Sequence, residues 1–237
     1  MTYLDLEKPI LALAPMHGFT NSEFRLKCRK FGADLVYSEM VAAEGIIRRV
    51  PAVMDQIAFT KEERPVILQI FGSNPDSMAE AAKIIENEYA PDGIDINFGC
   101  PVQKAAKQGF GAVLLYDTKK AIDIIKAVKS ILKNTPLSIK IRLNDSIDDT
   151  ISFIKMAEKA GVSMVAIHGR TLTQKYRGEA DYNKLHAIKQ HFPDLLILGS
   201  GDIKTKEDVK NKLGNLDGLL IGRAAKIHPK IFQELKK

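Results

Sequence analysis

The sequence predicts a single (β/α)8 TIM barrel, and three observations carry that prediction. One unit recurs along all 237 residues: a short β-branched apolar run, a glycine-rich or polar break, then an amphipathic helical stretch. Eight such alternations fit the chain, the number that closes a parallel barrel. No GxGxxG follows the first strand, which counts against the runner-up, a doubly wound open sheet.

The strands follow in order. Ile10–Ala14 runs into Pro15-Met16 and then His17-Gly18. Leu35–Met40 ends in Ser38-Glu39-Met40, and Val66–Phe71 carries Gln69 shortly before its end. In the fourth, Ile94–Phe98, the apolar Ile94, Ile96 and Phe98 alternate with Asp95, Asn97 and Gly99, the period of a half-buried strand. Cys100 follows it, bounded by Gly99 and Pro101. The fifth, Leu137–Arg142, sets Leu137, Ile139 and Ile141 on one face and Ser138, Lys140 and Arg142 on the other. Met164–His168 leads into Gly169-Arg170, Leu195–Leu198 into Gly199-Ser200-Gly201-Asp202, and Gly218–Ile221 into Gly222-Arg223. Helical periodicity marks Ser77–Tyr89, Thr118–Leu132, Asp148–Ala160 and Lys206–Leu213, with a last helix over Pro229–Lys237. Start signals are Asn21, Asp117, and Thr205 with Glu207 and Asp208 in the first turn.

Composition narrows the function classes. No long apolar run could span a bilayer, and the first ten residues lack the regions of a signal peptide. Cys28 and Cys100 lie far apart without CxxC spacing, so free thiols in a reducing cytoplasm are expected. The five histidines show no paired ligand spacing, so no metal site is expected. A net charge of +6 and a pI near 9.1 favour a polyanionic partner.

A barrel works at the face where its strands run into the following loops. Two inward cations on the fifth strand, Lys140 and Arg142, therefore require an anionic or polar ligand. Lys140 has three readings: a solvated strand-end lysine, the Schiff-base lysine of an aldolase, or a charge beside a cofactor ring. The seventh and eighth loops, with Gly201 and Gly222, resemble a barrel phosphate site to which Arg223 adds a guanidinium fork. Cys100 stands beside Asn97 at a strand end, where a thiol can be chemical; Cys28, among Phe24, Leu26 and Phe31, reads as packing. His168 reaches the same rim. Arg48, Arg49, Lys104, Lys107, Arg170, Lys175 and Arg177 read as a basic track for a nucleic-acid backbone.

Taken in order, several motifs resemble one family. They are Ala14-Pro15-Met16 with Thr20-Asn21, Ile96-Asn97-Phe98-Gly99-Cys100-Pro101, Lys140-Ile141-Arg142, His168-Gly169-Arg170-Thr171 with Tyr176 and Gly178, Gly201-Asp202-Ile203, and Ile221-Gly222-Arg223-Ala224-Ala225. The ordered set, from about Pro9 to Phe232, resembles the tRNA-dihydrouridine synthases. The resemblance implies an FMN-binding barrel that uses NADPH to reduce the 5,6 double bond of uridines in tRNA. It implies that Pro15, Met16, Gln69, Lys140, His168, Ser200, Gly201, Asp202, Gly222 and Arg223 bind the flavin. It assigns Asn97, Arg142, Arg170 and Tyr176 to the flipped uridine. Hydride would go from flavin to uracil carbon 6, and a proton from Cys100 to carbon 5. A thiol, with an ordinary pKa of about 8.5, carries that proton at neutral pH.

Two departures stand out. Ser200 occupies a position where the family commonly has Asn, and the helical C-terminal domain typical of the family is expected to be absent, residues 1–237 forming the catalytic barrel alone. A partner subunit or self-association would then replace it. Competing readings are a small-molecule flavin oxidoreductase of the dihydroorotate dehydrogenase type and a non-catalytic RNA-binding barrel.

Overall fold

Alternation along the chain becomes a closed wall in the computed structural model, which describes residues 2–102 and 107–236. The strands are β1 (Ile10–Leu13), β2 (Leu35–Ala42), β3 (Val66–Phe71), β4 (Gly93–Phe98), β5 (Leu137–Leu143), β6 (Met164–Thr171), β7 (Leu196–Ser200) and β8 (Gly218–Ile221). Each is parallel to its neighbour in sequence, and β8 closes against β1. Around them lie α1 (Ser22–Lys30), α2 (Ala43–Ile47), α3 (Pro51–Ile57), α4 (Pro75–Tyr89), α5 (Thr118–Ile131), α6 (Ile147–Lys159), α7 (Tyr182–Gln190) and α8 (Lys206–Leu213). Two short helices, α9 (Arg223–Ile227) and α10 (Ile231–Lys236), end the described chain.

The expected helix starts are made by the expected residues. Asn21, Asp117 and Thr205 each accept a backbone N–H of the first turn, and Thr205 forms a reciprocal box with Asp208. The last helix is where the sequence reading needs correction. The helix expected over Pro229–Lys237 is α10, which starts two residues later at Ile231, and an unexpected short helix, α9, precedes it across a break at His228-Pro229. His228 is extended (φ −142°, ψ 86°), as a residue preceding proline tends to be, and Lys237 lies outside the described residues.

Period-two patterning decides which side chains meet. Ile94, Ile96 and Phe98, with Ile139 and Ile141, join the large apolar layer between barrel wall and helices. The alternate residues point into the barrel. Low in the interior lie Ile10, Leu35, Tyr37, Ile67, Met164 and Leu198. Above them the register runs Gln69↔Asp95↔Ser138, then Asn97↔Lys140↔Ala166, and His168↔Ser200. The polar residues of neighbouring strands are thus stacked at one end of the barrel. Cys28 is fully buried in the outer layer, the packing role expected of it.

The base of the barrel is stopped by Tyr3. Its ring, carried on a one-turn 3-10 helix (Tyr3–Asp5), is fully buried, and its hydroxyl is 2.8 Å from Ser163 Oγ. A Cβ on Gly93 would collide with that ring, so the glycine opening β4 is what gives it room.

Candidate active site

A cavity of about 880 Å³ opens where the strands pass into their following loops, within the size range of small-molecule sites. Cys100, Lys140, Arg142, Asn97, His168 and Gln69 all line it. So do Pro15, Met16, Tyr176, Ser200, Gly201, Asp202, Gly222 and Arg223. Arg170 is the exception among the expected site residues: it is 3% exposed and lies behind the wall.

The turn that carries Cys100 is gripped from three sides. Asn97 Oδ1 accepts the N–H groups of Gly99 and Cys100, each at 3.0 Å. Arg142 Nε donates to the Gly99 carbonyl at 2.9 Å, and Ala112 N–H to the Cys100 carbonyl at 3.1 Å. Gly111, at φ +75°, abuts Cys100 so closely that a Cβ there would lie 2.9 Å from its carbonyl oxygen. Arg142 also donates through Nη1 to the Lys175 carbonyl at 2.8 Å, joining this turn to the loop after β6.

Two of the expected substrate contacts therefore also brace the site. Asn97 spends its amide on the Cys100 turn and, through Nδ2, on Gln69 Oε1 at 2.8 Å. Arg142 spends donors on three backbone carbonyls, while its guanidinium carbon stands 5.4 Å from the Tyr176 ring centre. The Arg223 guanidinium carbon lies 5.7 Å from the same ring, which is 60% exposed at the mouth.

Asp202 gathers the loops next to it. It accepts from Arg170 at 2.6 Å, Arg223 at 2.8 Å and Ala180 N–H at 2.9 Å. Burial raises its pKa, but the Arg170 hydrogen bond, the Ala180 N–H and the nearby charges outweigh that and hold it below the carboxylate range. Arg170 further donates to the carbonyls of Arg177 and Gly178. Tyr182 OH donates to the Gly201 carbonyl at 2.9 Å, and Gly201 itself is left-handed at φ +118°.

Electrostatically the cavity is a collection of unanswered donors. The Lys140 amine forms no hydrogen bond or ion pair among the described residues, and burial, then the Arg142 charge, pull its pKa down to about 8. Burial and the charges of Lys140, Arg142 and Arg170 push His168 down to about 2, so its imidazole is neutral. His168 Nδ1 and Arg170 Nη1 are buried with no partner. Such groups are costly unless a ligand answers them.

Several functional neighbours escaped the sequence reading. Asp95 lies under the cavity, bonded to Gln69 and Ser138, and burial raises its pKa to about 6. Its only sequence signal was membership of the polar row of β4. Glu39 accepts the Gly18 N–H and stands 3.4 Å from His17 Nδ1, fixing the loop after β1. Lys204 and Lys226 line the cavity, as do the exposed Phe19, Val102 and Ile227. The expected basic track is redrawn by the structure. Arg49 pairs with Glu88 in the last turn of α4, and Arg48 with Glu44, because the chain turns down the outside of the barrel after α2. Lys107, Lys175 and Arg177 are exposed; Lys104 lies outside the described residues.

Similarity to known proteins agrees with this geometry. The family model for dihydrouridine synthase (Dus) matches residues 12–237. The chain is 38% identical over 239 residues to a probable tRNA-dihydrouridine synthase of Aquifex aeolicus (strain VF5), covering 99% of this chain and 75% of that protein. It is 36% identical over 245 residues to a probable tRNA-dihydrouridine synthase of Mycobacterium tuberculosis (strain CDC 1551 / Oshkosh), covering 98% and 63%. With tRNA-dihydrouridine synthase B of Pseudomonas syringae pv. tomato the identity is 37%, over 95% of this chain and 67% of that one. The chain thus spans between 63% and 75% of the lengths of these three relatives. Among solved structures, DHODH from Eimeria tenella in complex with ferulenol superposes with a TM-score of 0.69 at 15% identity, covering 96% of this chain and 79% of that one, a likeness of fold. No helix among the described residues is long and apolar enough to cross a membrane. With a family match over nearly its whole length on an eight-stranded barrel, the chain belongs to the dihydrouridine synthase family of enzymes.

Proposed function

We propose that this protein reduces uridine to 5,6-dihydrouridine in tRNA, with FMN seated in the barrel mouth and NADPH as the reductant. One observation carries the proposal: a thiol and a lysine amine from neighbouring strands, Cys100 and Lys140, line the same cavity. The residues present fit FMN. The cavity-lining Lys140 amine has no partner among the described residues, His168 Nδ1 is buried and unpaired beside the left-handed Gly201, and Gly222 opens the eighth loop without a side chain. An anionic ligand with an acceptor-bearing ring edge answers such a donor set.

When bound, FMN supplies the hydride that uracil carbon 6 receives. Lys140, as a cation, stabilises negative charge that develops in the cavity, and removal of water strengthens that effect. Neutral His168 and Gln69 offer uncharged polar contacts to the ring. Gly201, Gly222 and Arg223 hold the phosphate, together with first-turn N–H groups of α9. Cys100 holds a proton on Sγ and transfers it to carbon 5 of the uracil, leaving a thiolate. Tyr176, exposed between two guanidinium groups, provides a face on which an extruded base stacks, offsetting the few kcal/mol of unstacking. Lys204, Lys226 and Arg223 add positive charge for the RNA backbone.

The test is reconstitution. Purified protein mixed with FMN should turn yellow and form dihydrouridine in transcript tRNA when NADPH is supplied. Cys100→Ala should remain yellow and lose dihydrouridine formation by at least about a hundredfold. Protein that takes up no FMN, or that reduces free pyrimidines and leaves RNA unchanged, would overturn the proposal.

A further inference from the structure

Under the cavity floor lies a charged group that the reaction proposed above does not touch. Asp95 is fully buried, in register with Gln69 on β3 and Ser138 on β5. The phenols of Tyr3 and Tyr37 and the ammonium of Lys140 are the other titratable groups around it. Ser138 Oγ donates to one carboxylate oxygen at 2.7 Å, and Gln69 Nε2 to the other at 2.8 Å. An ionised carboxylate can only accept. Gln69 must therefore turn its NH2 toward Asp95 and its carbonyl oxygen toward Asn97. That oxygen takes Asn97 Nδ2 at 2.8 Å, which leaves Asn97 Oδ1 to take the N–H groups of Gly99 and Cys100 at 3.0 Å each. Every link has a direction. Donor-only backbone N–H groups set the sense at one end, and the acceptor-only carboxylate answers the Gln69 NH2 that this sense delivers at the other. Filling space explains nothing here, because an apolar residue would fill it without the cost of a buried charge.

We infer that Asp95 is a positioning residue for Cys100, anchoring the far end of a hydrogen-bond chain through Gln69 and Asn97 that holds the thiol-bearing turn in place. Its catalytic consequence rests on the proposed role of Cys100; the chain itself is a property of the protein without cofactor. The two therefore fail separately.

The experiment uses flavin-free protein and two readouts: amide hydrogen exchange at Gly99 and Cys100, and the rate of Cys100 alkylation by iodoacetamide, read by peptide mass spectrometry. Cys28 is fully buried and does not compete. Asp95→Leu fills the space and cannot accept, so both amides should exchange about tenfold faster and alkylation should accelerate to match. Asp95→Asn can still accept from Gln69 through its carbonyl while its NH2 meets the Ser138 hydroxyl, so it should stay within about twofold of the parent. Parent-like protection in Asp95→Leu would mean the residue only fills space, and would overturn the inference. Asp95→Asn as unprotected as Asp95→Leu would mean that charge alone matters, and would overturn it too. Should Asp95→Leu not fold, Gln69→Met breaks the chain at its midpoint and leaves the Asp95–Ser138 bond intact. It must show the same tenfold acceleration, and unchanged protection would sink the idea. Whether Cys100 donates a proton is read independently, from dihydrouridine formation by Cys100→Ala.

Discussion

The Arg170 guanidinium lies 2.6 Å from the Asp202 carboxylate, fastening the end of β6 to the loop after β7. Asp202 keeps Arg223 as a second partner at 2.8 Å, so losing Arg170 leaves a carboxylate half answered. Arg170→Met should lower unfolding free energy by roughly 2–4 kcal/mol, the range for breaking a largely buried pair. It should also weaken FMN binding by about tenfold. Urea unfolding and fluorescence titration read these two effects; a stable variant with parent affinity would show that the clasp serves nothing.

The two loop glycines should behave differently. At Gly201 an added Cβ would sit 2.7 Å from the Ala180 Cβ on a backbone at φ +118°, so Gly201→Ala combines strain with a clash. A loss of about 1–3 kcal/mol in stability is expected, with FMN uptake falling alongside. At Gly222 the same Cβ would meet Ala14 and Met16 at an ordinary 3.6 Å. Gly222→Ala should remain within about 1 kcal/mol of the parent. Thermal melts of both variants make the comparison direct.

In the proposed reaction Lys140 should set a pH limit with a definite sign. Its folded pKa is drawn down to about 8 by burial and by Arg142, so the ammonium is present below that value and lost as pH rises through it. The single-turnover rate should fall on the alkaline side with a midpoint near 8. Lys140→Arg keeps its charge and should move that limb upward; Lys140→Met should lower the rate at every pH. An unshifted alkaline limb in Lys140→Arg would assign it to another group.

Asp95 should weigh against stability at neutral pH. Burial raises its pKa from 3.8 to about 6, more than the Ser138 and Gln69 hydrogen bonds and the Lys140 charge lower it. Between those values the folded protein binds a proton that the unfolded chain has released, so this group's contribution falls as pH rises through the window. Relative to the parent, Asp95→Asn should gain roughly 2 kcal/mol between pH 4 and pH 7. Paired urea titrations at the two pH values measure the difference.

Most of the barrel was legible because β4 and β5 alternate strictly, and parity alone put Asn97, Lys140 and Arg142 inside. The mouth was legible because glycines and a cysteine punctuate the strand ends. What each polar group does there was less so. Nothing in the order of residues says that the other end of the Asn97 amide is taken by Gln69, or that Arg170 turns to Asp202, since both join elements about 30 residues apart in sequence. The Arg49–Glu88 pair escaped for the same reason: it joins elements 39 residues apart. Tyr3 gave no signal at all. A single aromatic in a polar leader looks like an end that frays.

That leader works as a cork. The ring of Tyr3 and the bare α-carbon of Gly93 occupy complementary halves of one volume, so enlarging the second demands shrinking the first. A chain trimmed before Leu4 would admit water to the bottom of the bore, two residues below Asp95 on the same strand. Wetted from beneath, that carboxylate would ionise more readily, and a cut at the far end of the barrel would be felt at its mouth.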